Sequence, residues 1–473
     1  MVIRAVLFDM GGTIETYWHT TELRMKAIPG IRECLLSAGV DLGLDDFELL
    51  RAISTGYGRY HEWSIQSMEE LHPLQVWSDY ILKTFAIDPQ RLAPVAEDLM
   101  FILENRFYHR DMRPEVPSVL KAIKELDLKI GLISNICSRN LVPANLKKYA
   151  IRHYFDPIIL SSTYGRRKPD PAIFHYAANQ AGVPTSECMY VGDRIARDVV
   201  GARRAGYAMA VQIIHNFEHG ENETGAVPDH KIHDLTELLD ILERASVVER
   251  PAIKSQKEIR AILFDAGDIL YYRPDRGQFL RAFLRENNLA DKEIPDGKKN
   301  SYRAQAFNGE ITQREHRQAV LILYGIDDPG LIERGIQAME KDDNNIRFFD
   351  GVRDTLITLK KEGFLLGIVT DTANPIHVKL SWFEQGGFGH IWDSIISSQE
   401  LGIEKPDPGI YHAALQQLGS SVRQTVFVGH SPEELDGARD LGMKTIAFNF
   451  NEDAKADFYI KEFSELLKVP ILQ

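Results

Sequence analysis

The chain repeats itself, and this repeat restricts its possible folds more than any other feature. The segment VIRAVLFDMGGTI at Val2 to Ile14 returns as EIRAILFDAGDIL at Glu258 to Leu270. Four further pairs follow in the same order: KIGLISN and LLGIVTD, GRRKPDPAIFHYA and GIEKPDPGIYHAA, MYVGD and VFVGH, and DVVGARRAG and ELDGARDLG. Five matched segments in one order indicate duplication of a whole domain. A chain of 473 residues also exceeds what one hydrophobic core usually supports.

The spacing of the repeated segments locates a variable region in each copy. Asp265 lies 256 positions after Asp9, whereas Thr370 lies 236 positions after Ser134. The second copy is therefore shorter between its first two motifs. Because insertions and deletions accumulate outside packed strands, this interval is predicted to be a separate module.

The two intervals, residues 16–112 and 272–347, show helical patterning, which predicts a small all-α cap in each copy. Elsewhere β-rich runs such as AVLF, KIGLIS, PIILSS, MYVG and AMAVQII alternate with amphipathic helices, as in a parallel sheet covered on both faces. The predicted fold class is α/β, with two doubly wound, Rossmann-like domains at 1–247 and 259–473. The charged, proline-containing stretch around 248–258 is predicted to be the linker.

Composition excludes several classes of function. Asp and Glu number 68 against 55 Lys and Arg, a net charge of −13 without a basic run, so nucleic acid is not an expected partner. No apolar run is long enough for a bilayer, and the N-terminus lacks a secretory signal pattern, so we expect no membrane partner and a cytoplasmic location. The three cysteines, Cys34, Cys137 and Cys188, show neither disulfide nor zinc-site spacing. The sequence carries no signal for the oligomeric state.

Three polar residues each follow an apolar strand run in the first copy, namely Asp9, Ser134 and Asp193. In a doubly wound sheet, side chains at the carboxyl ends of central strands converge on one crevice. A carboxylate there can attack phosphorus, which splits hydrolysis into two easier steps through a covalent intermediate. Asp9 is the predicted nucleophile.

The segments LFDMGGT, ISN, RRKPDP and VGDRIARD resemble the four motifs of the haloacid dehalogenase superfamily. The resemblance covers nearly the whole chain apart from the linker, and the caps match only in position. It implies a hydrolase in which Asp9, Ser134 and Lys168 are catalytic. Ser134, Asn135 and Lys168 would bind the phosphate of a small phosphorylated metabolite.

A hard cation is expected between the nucleophile and the negatively charged substrate. Asp9, Asp193, Asp198 and the carbonyl of Gly11 can supply oxygen ligands, which suits Mg²⁺. Mg²⁺ is the implied cofactor. The first copy is accordingly predicted to be a Mg²⁺-dependent phosphatase that works through an aspartyl phosphate.

Gly11 is where the first copy departs from phosphatases of this superfamily, most of which carry a general acid aspartate two residues after the nucleophile. Candidates for a replacement acid, by sequence proximity alone, are His19, His61 and Glu62. General acid or base catalysis typically contributes about 10²–10⁴-fold, so its loss should be felt.

Two other functions remain open at this point. Dehalogenases and phosphonoacetaldehyde hydrolases of the superfamily also lack that aspartate, although dehalogenases do not need the metal carboxylates. No lysine of the cap interval stands at a position that matches the Schiff-base residue, and Lys26 and Lys83 remain the candidates for it. The third alternative is a pseudoenzyme that binds a ligand or partner, because both copies lack the usual acid.

The second copy keeps the equivalents of the nucleophile and of the phosphate-binding residues, which are Asp265, Thr370 and Lys405. Gly267 again replaces the acid. His430 stands opposite Asp193 and Glu434 opposite Asp198, and an imidazole should lower Mg²⁺ affinity unless Asp268 or Asp436 compensates. The second copy is therefore expected to be degenerate, serving as a packing partner or a ligand-sensing domain.

Overall fold

The computed structural model describes residues 2–214, 225–247, 258–289 and 296–473. They form two compact units, Met1–Arg250 and Pro251–Gln473, here called the first and second unit. Apart from Glu258, the predicted linker at 248–258 lies outside the described residues, and the domain boundary stays a prediction. No helix among the described residues is long and apolar enough to cross a membrane.

A parallel six-stranded sheet forms the core of the first unit, in the order β5-β4-β1-β6-β7-β8. Its strands are β1 (Ala5–Phe8), β4 (Lys129–Ser134), β5 (Ile158–Leu160), β6 (Cys188–Gly192), β7 (Met209–Ile213) and β8 (His230–Ile232). Every residue of β1, β6 and β7 is buried, as a sheet covered on both faces requires. The five predicted strands are present, and the short edge strand β8 was not predicted.

Helices cover this sheet and follow its strands in sequence. They are α6 (Val116–Glu125), α7 (Leu141–Lys148), α8 (Ser161–Tyr164), α9 (Pro171–Ala181), α10 (Val200–Arg204) and α11 (Glu237–Val247). The KPDP segment starts α9, because the Asp170 side chain accepts a hydrogen bond from Ala172 N at the N-cap and Pro171 fits the first turn. The alternation of strand and helix confirms the predicted α/β architecture.

A helical module, residues 21–106, lies between the first and second sheet strands in sequence. Its helices are α1 (Thr21–Ser37), α2 (Asp46–Ser67), α3 (Pro73–Gln75), α4 (Pro89–Leu92) and α5 (Ala96–Arg106), with a π-turn at Val76–Ile81. It has its own apolar core around Trp77, Ile28 and Leu99. The predicted interval 16–112 is not all helical, since β2 (Glu15–Trp18) and β3 (His109–Met112) pair antiparallel at its two ends.

The second unit repeats this arrangement, with sheet order β13-β12-β9-β14-β15-β16. Its sheet strands are β9 (Ala261–Phe264), β12 (Leu365–Thr370), β13 (Ser394–Ser397), β14 (Thr425–Gly429), β15 (Lys444–Phe448) and β16 (Phe458–Ile460). The helices that follow its strands are α16 (Val352–Lys361), α17 (Ile376–Gln385), α18 (Ser398–Leu401), α19 (Pro408–Leu418) and α20 (Pro432–Asp440).

The second helical module, residues 278–344, occupies the same place in the sequence of its unit. It contains α12 (Gln278–Glu286), α13 (Asp296–Phe307), α14 (Gln313–Leu323) and α15 (Pro329–Asn344). The strands β10 (Tyr271–Tyr272) and β11 (Arg347–Phe348) pair antiparallel at its ends. Both units are thus built on one plan, as the internal repeat predicts.

Candidate active site

The carboxyl ends of three neighbouring strands define the site of the first unit. Strand β1 lies between β4 and β6, so Asp9, Ser134 and Asp193 come at the same edge of the sheet. The main chain of Asp9 still belongs to the sheet, because its amide donates to Val191 O at 2.9 Å. This edge is where the strand order switches direction, the usual position of ligands in such sheets.

Three carboxylates gather at this edge. Asp9, Asp193 and Asp198 are buried, and each offers one oxygen such that all three oxygens lie within 4.8 Å of one another. Asp198 is fixed by the Arg194 amide, which donates to its Oδ2 at 3.0 Å. Oxygen donors in this number suit a hard divalent cation, so the predicted residues fit Mg²⁺.

Lys168 is the buried counter-charge of this cluster. Its Nζ lies 2.7 Å from Asp9 Oδ1 and 2.8 Å from Asp198 Oδ1, and it also donates to Tyr190 OH at 2.7 Å. Burial raises the pKa of Asp9 to about 6 against the opposing charge of Lys168. The Asp9 carboxyl is therefore ionised for the most part at neutral pH, as a nucleophile must be.

Arg197 is a cation of the site that the sequence did not single out. It lies on the π-turn Ile195–Val199, and its Nη2 approaches Asp193 Oδ1 at 3.0 Å and Asp9 Oδ2 at 3.3 Å. Although burial opposes it, the Asp193 charge holds the pKa of Arg197 well above its usual value. The guanidinium thus shares carboxylate oxygens that a divalent cation would use.

The two predicted phosphate-binding residues of the second motif differ in role. Ser134 is buried and lines the cavity of the site. The Asn135 side chain instead forms two hydrogen bonds with the main chain of Lys168. Its Oδ1 accepts from Lys168 N at 2.8 Å, and its Nδ2 donates to Lys168 O at 3.0 Å. Its side chain therefore positions Lys168.

Two glycines follow Asp9, and they tolerate side chains differently. Gly11 has no positive φ, and a Cβ there would lie 3.3 Å from Tyr17 Cε1, which is tight but movable. Gly12 has φ +88°, and a Cβ there would lie 2.6 Å from Asp193 Cγ. The Gly12 main chain passes directly beside the carboxylate cluster and needs glycine for both reasons.

The first unit has a cavity of about 150 Å³, and a residue that replaces the missing general acid should line it. His61 lines it, whereas neither His19 nor Glu62 is among the described lining residues. Burial and the Arg167 charge lower the pKa of His61, so its imidazole is neutral at pH 7. Lys26 pairs with the exposed Glu22, and neither it nor Lys83 lines the cavity in the described part of the chain.

Glu104, from the helical module, also lines this cavity and was not predicted. It ties the module to the loop after β4, because Cys137 N donates to its Oε1 at 3.1 Å and Ser138 N to its Oε2 at 2.7 Å. Tyr57 OH donates to Oε1 at 3.0 Å. Burial raises the pKa of Glu104 to about 7.

The second unit assembles the equivalent residues around Lys405. Its Nζ lies 2.6 Å from Asp265 Oδ1 and 2.8 Å from Glu434 Oε2, and Lys405 N donates to Asp371 Oδ1 at 3.0 Å. Glu434 therefore pairs with Lys405 as Asp198 pairs with Lys168, although one is a glutamate and the other an aspartate.

An imidazole replaces one carboxylate of the cluster in the second unit. Asp265, His430 and Glu434 offer ligand atoms within 4.8 Å of one another, but His430 Nδ1 already lies 2.9 Å from Glu434 Oε1. Despite burial, Glu434 raises the pKa of His430, which makes the ring more cationic. These residues fit a divalent cation poorly, since the ring brings positive charge to the position of Asp193.

Asp268 and Asp436 are the two carboxylates that could compensate for His430, and they differ in their contacts. Asp268 Oδ2 lies 3.9 Å from His430 Nε2 and also pairs with Arg276. Asp436 is half exposed and pairs with Arg439, away from the other ligand atoms. Thr370 and Gly267 line the cavity of this unit.

Comparison with known proteins adds family information to this geometry. Residues 3–206 match a family model described as haloacid dehalogenase-like hydrolase, and residues 303–448 match a second model of the same description. Together the two matches span well over half of the chain.

Several curated proteins are similar over about half of the chain. A glyceraldehyde 3-phosphate phosphatase of Methanopyrus kandleri is 29% identical over 245 residues, which are 51% of this chain and 97% of that protein. The pyrimidine 5'-nucleotidase YjjG of Escherichia coli is 27% identical over 240 residues, 50% of this chain and 96% of that protein. Among solved structures, a HAD phosphatase from Thermococcus onnurineus is 26% identical, covers 51% of this chain and 98% of its own, and has a TM-score of 0.35.

Proposed function

Since this chain belongs to the haloacid dehalogenase-like hydrolase family and carries two such domains in tandem, we propose that its first unit is a Mg²⁺-dependent phosphatase. The observation that carries the proposal is the buried set of Asp9, Asp193 and Asp198 around the Lys168 ammonium. The substrate class is a small phosphorylated metabolite. In support, similar curated proteins are named as phosphatases of glyceraldehyde 3-phosphate and of phosphoglycolate, and the cavity is small.

Asp9 would act as the nucleophile. A lone pair of its carboxylate forms a bond to phosphorus while the bond from phosphorus to the leaving oxygen breaks, which gives an aspartyl phosphate and either a carboxylate or an alkoxide that takes its proton from solvent. Water then attacks phosphorus, regenerates Asp9 and releases inorganic phosphate. Lys168, held by Asn135, keeps the carboxylate oriented and stabilises charge on the transferring group.

The metal ligands would be Asp9, Asp193, Asp198 and the main-chain carbonyl of Gly11. When bound, Mg²⁺ neutralises the charge between these carboxylates and the phosphoryl group. Arg197 has to release its contacts with Asp9 and Asp193 for all their oxygens to serve as ligands.

The leaving oxygen would depart without a strong acid beside it. Gly11 provides no side chain, and His61 is neutral at pH 7. Glu104 has a pKa raised to about 7, but hydrogen bonds from Cys137, Ser138 and Tyr57 hold its carboxyl against the loop after β4. Acyl and aryl phosphates, whose leaving groups need no proton, should therefore be better substrates than alkyl phosphates.

The dehalogenase and phosphonatase alternatives receive less support from the site. A dehalogenase would use Asp9 as its nucleophile but does not need the metal carboxylates Asp193 and Asp198. A phosphonatase would need a lysine near the substrate, and Lys26 and Lys83 do not line the cavity among the described residues.

A pair of matched substitutions tests the proposal. Phosphate release from aryl and acyl phosphates is measured with Mg²⁺ and with EDTA for the wild-type chain, Asp9→Asn and Asp265→Asn. We expect activity only with Mg²⁺, its loss in Asp9→Asn, and retention of most of it in Asp265→Asn. Absence of any Mg²⁺-dependent release would refute the proposal in favour of a binding protein, and equal losses would show that both units turn over substrate.

A further inference from the structure

The second unit has a larger cavity than the first, about 520 Å³. It lies at the carboxyl edge of the sheet, where Asp265 and Thr370 end their strands, and it extends to Arg303 and Arg317 of the second helical module. A cavity of this size is not needed by a unit that serves only as a packing partner.

Most acidic groups around this cavity already have partners. Asp265 and Glu434 pair with Lys405, and Asp343 Oδ2 lies 2.7 Å from Arg317 Nη2. Asp371 accepts a hydrogen bond from Lys405 N, Asp268 pairs with Arg276, and Asp342 accepts from the main-chain amides of Phe279 and Leu280. The acidic groups thus do not supply a free counter-charge.

Lys379 is the exception among the buried basic groups that line the cavity. It lies on α17, is only 4% exposed, and its Nζ donates to Thr370 Oγ1 at 2.8 Å and to Tyr271 OH at 3.2 Å. Within the described residues, no carboxylate oxygen is recorded within 4.0 Å of this nitrogen. Burying an ammonium beside neutral hydroxyl groups alone is costly, so the position calls for an anion.

The first unit has no such charge at the same place. Glu15 occupies the position of Tyr271, because each lies six residues after its strand-end aspartate and opens the same short strand. Glu15 Oε2 accepts from Asn145 Nδ2 at 3.1 Å, and Glu15 also pairs with Arg110. The first unit thus has an ion pair between Glu15 and Arg110 at this place, whereas the second unit has the Lys379 ammonium without a carboxylate beside it.

We propose that the second unit binds a phosphate group in this cavity without a divalent cation, with the Lys379 ammonium and the Thr370 hydroxyl as its donors. The ligand class is a phosphate monoester, for which inorganic phosphate is the simplest probe. Lys405 remains paired with Asp265 and Glu434, so Lys379 supplies the positive charge that faces the phosphate. The inference concerns the second unit and does not depend on turnover in the first.

Calorimetric titration of the full chain with inorganic phosphate in EDTA tests this proposal. The variant is Lys379→Gln, which keeps a hydrogen-bonding head but removes the charge, and the matched control is Lys361→Gln, an exposed lysine on α16 of the same unit. We expect saturable binding in the wild type, weakening of at least about 10-fold in Lys379→Gln, and a change below about 2-fold in Lys361→Gln; one lost charge-assisted hydrogen bond accounts for this size. Acetate should not compete.

Several outcomes would overturn the proposal. These are no saturable binding without Mg²⁺, unchanged binding in Lys379→Gln, an equal loss in Lys361→Gln, or equal binding of acetate. Trp382 supplies a second measurement that survives any misfolding of the lysine variant, because its ring meets Tyr271 edge-on with centroids 5.3 Å apart. Phosphate should change the tryptophan fluorescence of the wild type but not of Trp382→Phe, and the absence of such a response would count against the site. Turnover with Mg²⁺ is a separate measurement, so failure here differs from failure of the phosphatase proposal.

Discussion

His175 offers a prediction whose size follows from its surroundings. It lies on α9 and is 1% exposed, and in the described structure neither ring nitrogen has a hydrogen-bond partner. Burial lowers the pKa of His175 from 6.5 to about 3. The folded protein therefore keeps this ring neutral at pH values where the unfolded chain protonates it.

The consequence is a loss of stability on acidification. Because the folded-state pKa of His175 is the lower one, its contribution is fully present above pH 6.5 and is lost progressively as the pH falls toward 3. Each pH unit inside this window is equivalent to about 1.4 kcal/mol, so moving from pH 8 to pH 5 should cost about 2 kcal/mol. A domain of this size then melts about 4–8 °C lower from this group alone.

The assay compares His175→Leu with wild type by calorimetric melting between pH 8 and pH 5. The variant should lose less stability over this range, by about 2 kcal/mol, in the transition of the first unit. His412→Leu is the matched control for the substitution itself, because His412 holds the equivalent position on α19 but is exposed. Parallel pH dependence of wild type and His175→Leu would refute the reasoning.

Three further predictions concern the site of the first unit. Gly11→Asp should raise turnover of alkyl phosphates relative to aryl phosphates by about 10²-fold or more, whereas Gly267→Asp should not; an unchanged ratio in steady-state assays would contradict the account of the missing acid. Gly12→Ala should push Asp193 aside and weaken Mg²⁺ binding at least about 10-fold by calorimetry, and unaltered affinity would count against that contact. Arg197→Gln should tighten Mg²⁺ binding in the same titration because it removes a competing cation, and weaker binding would show that Arg197 supports the metal instead.

The fold could be predicted because the strongest signals in the sequence are the ones that determine it. Fully buried strands such as β1 and β6 read as continuous apolar runs, and the repeat supplied each strand twice. The strands β2 and β3 were not predicted, because ETYW and HRDM are short and mostly polar. They also pair with each other from opposite ends of the helical module in sequence. The edge strand β8 has two exposed residues of three and no apolar pattern.

The site was predicted less completely, for a physical reason. Residues within the motifs, such as Asp9 and Lys168, lie at strand ends whose meeting point follows from topology. Arg197, Glu104 and Lys379 enter the sites from a π-turn, a module helix and the helix after β12, and only the fold brings them there. Their charge gave no signal, since Arg, Glu and Lys on helices are ordinarily solvated.

Because Glu104 binds the loop after β4, opening of the helical module to admit substrate is coupled to the position of the active-site loop in the first unit. Any swing of the helical module away from the sheet must break the bonds from Cys137 and Ser138, each worth about 1 kcal/mol, or about 1.5–3 kcal/mol while the Glu104 carboxyl is ionised. Entry of substrate and exit of phosphate would then reshape the loop that begins at Ser134. In the second unit Asp342, five residues before β11 as Glu104 is before β3, holds amides of its own module. The contact of the second module with the loop after β12 is a neutral hydrogen bond from Gln313 Nε2 to Asn374 Oδ1, so opening of this module would break a weaker bond than the one Glu104 makes when ionised.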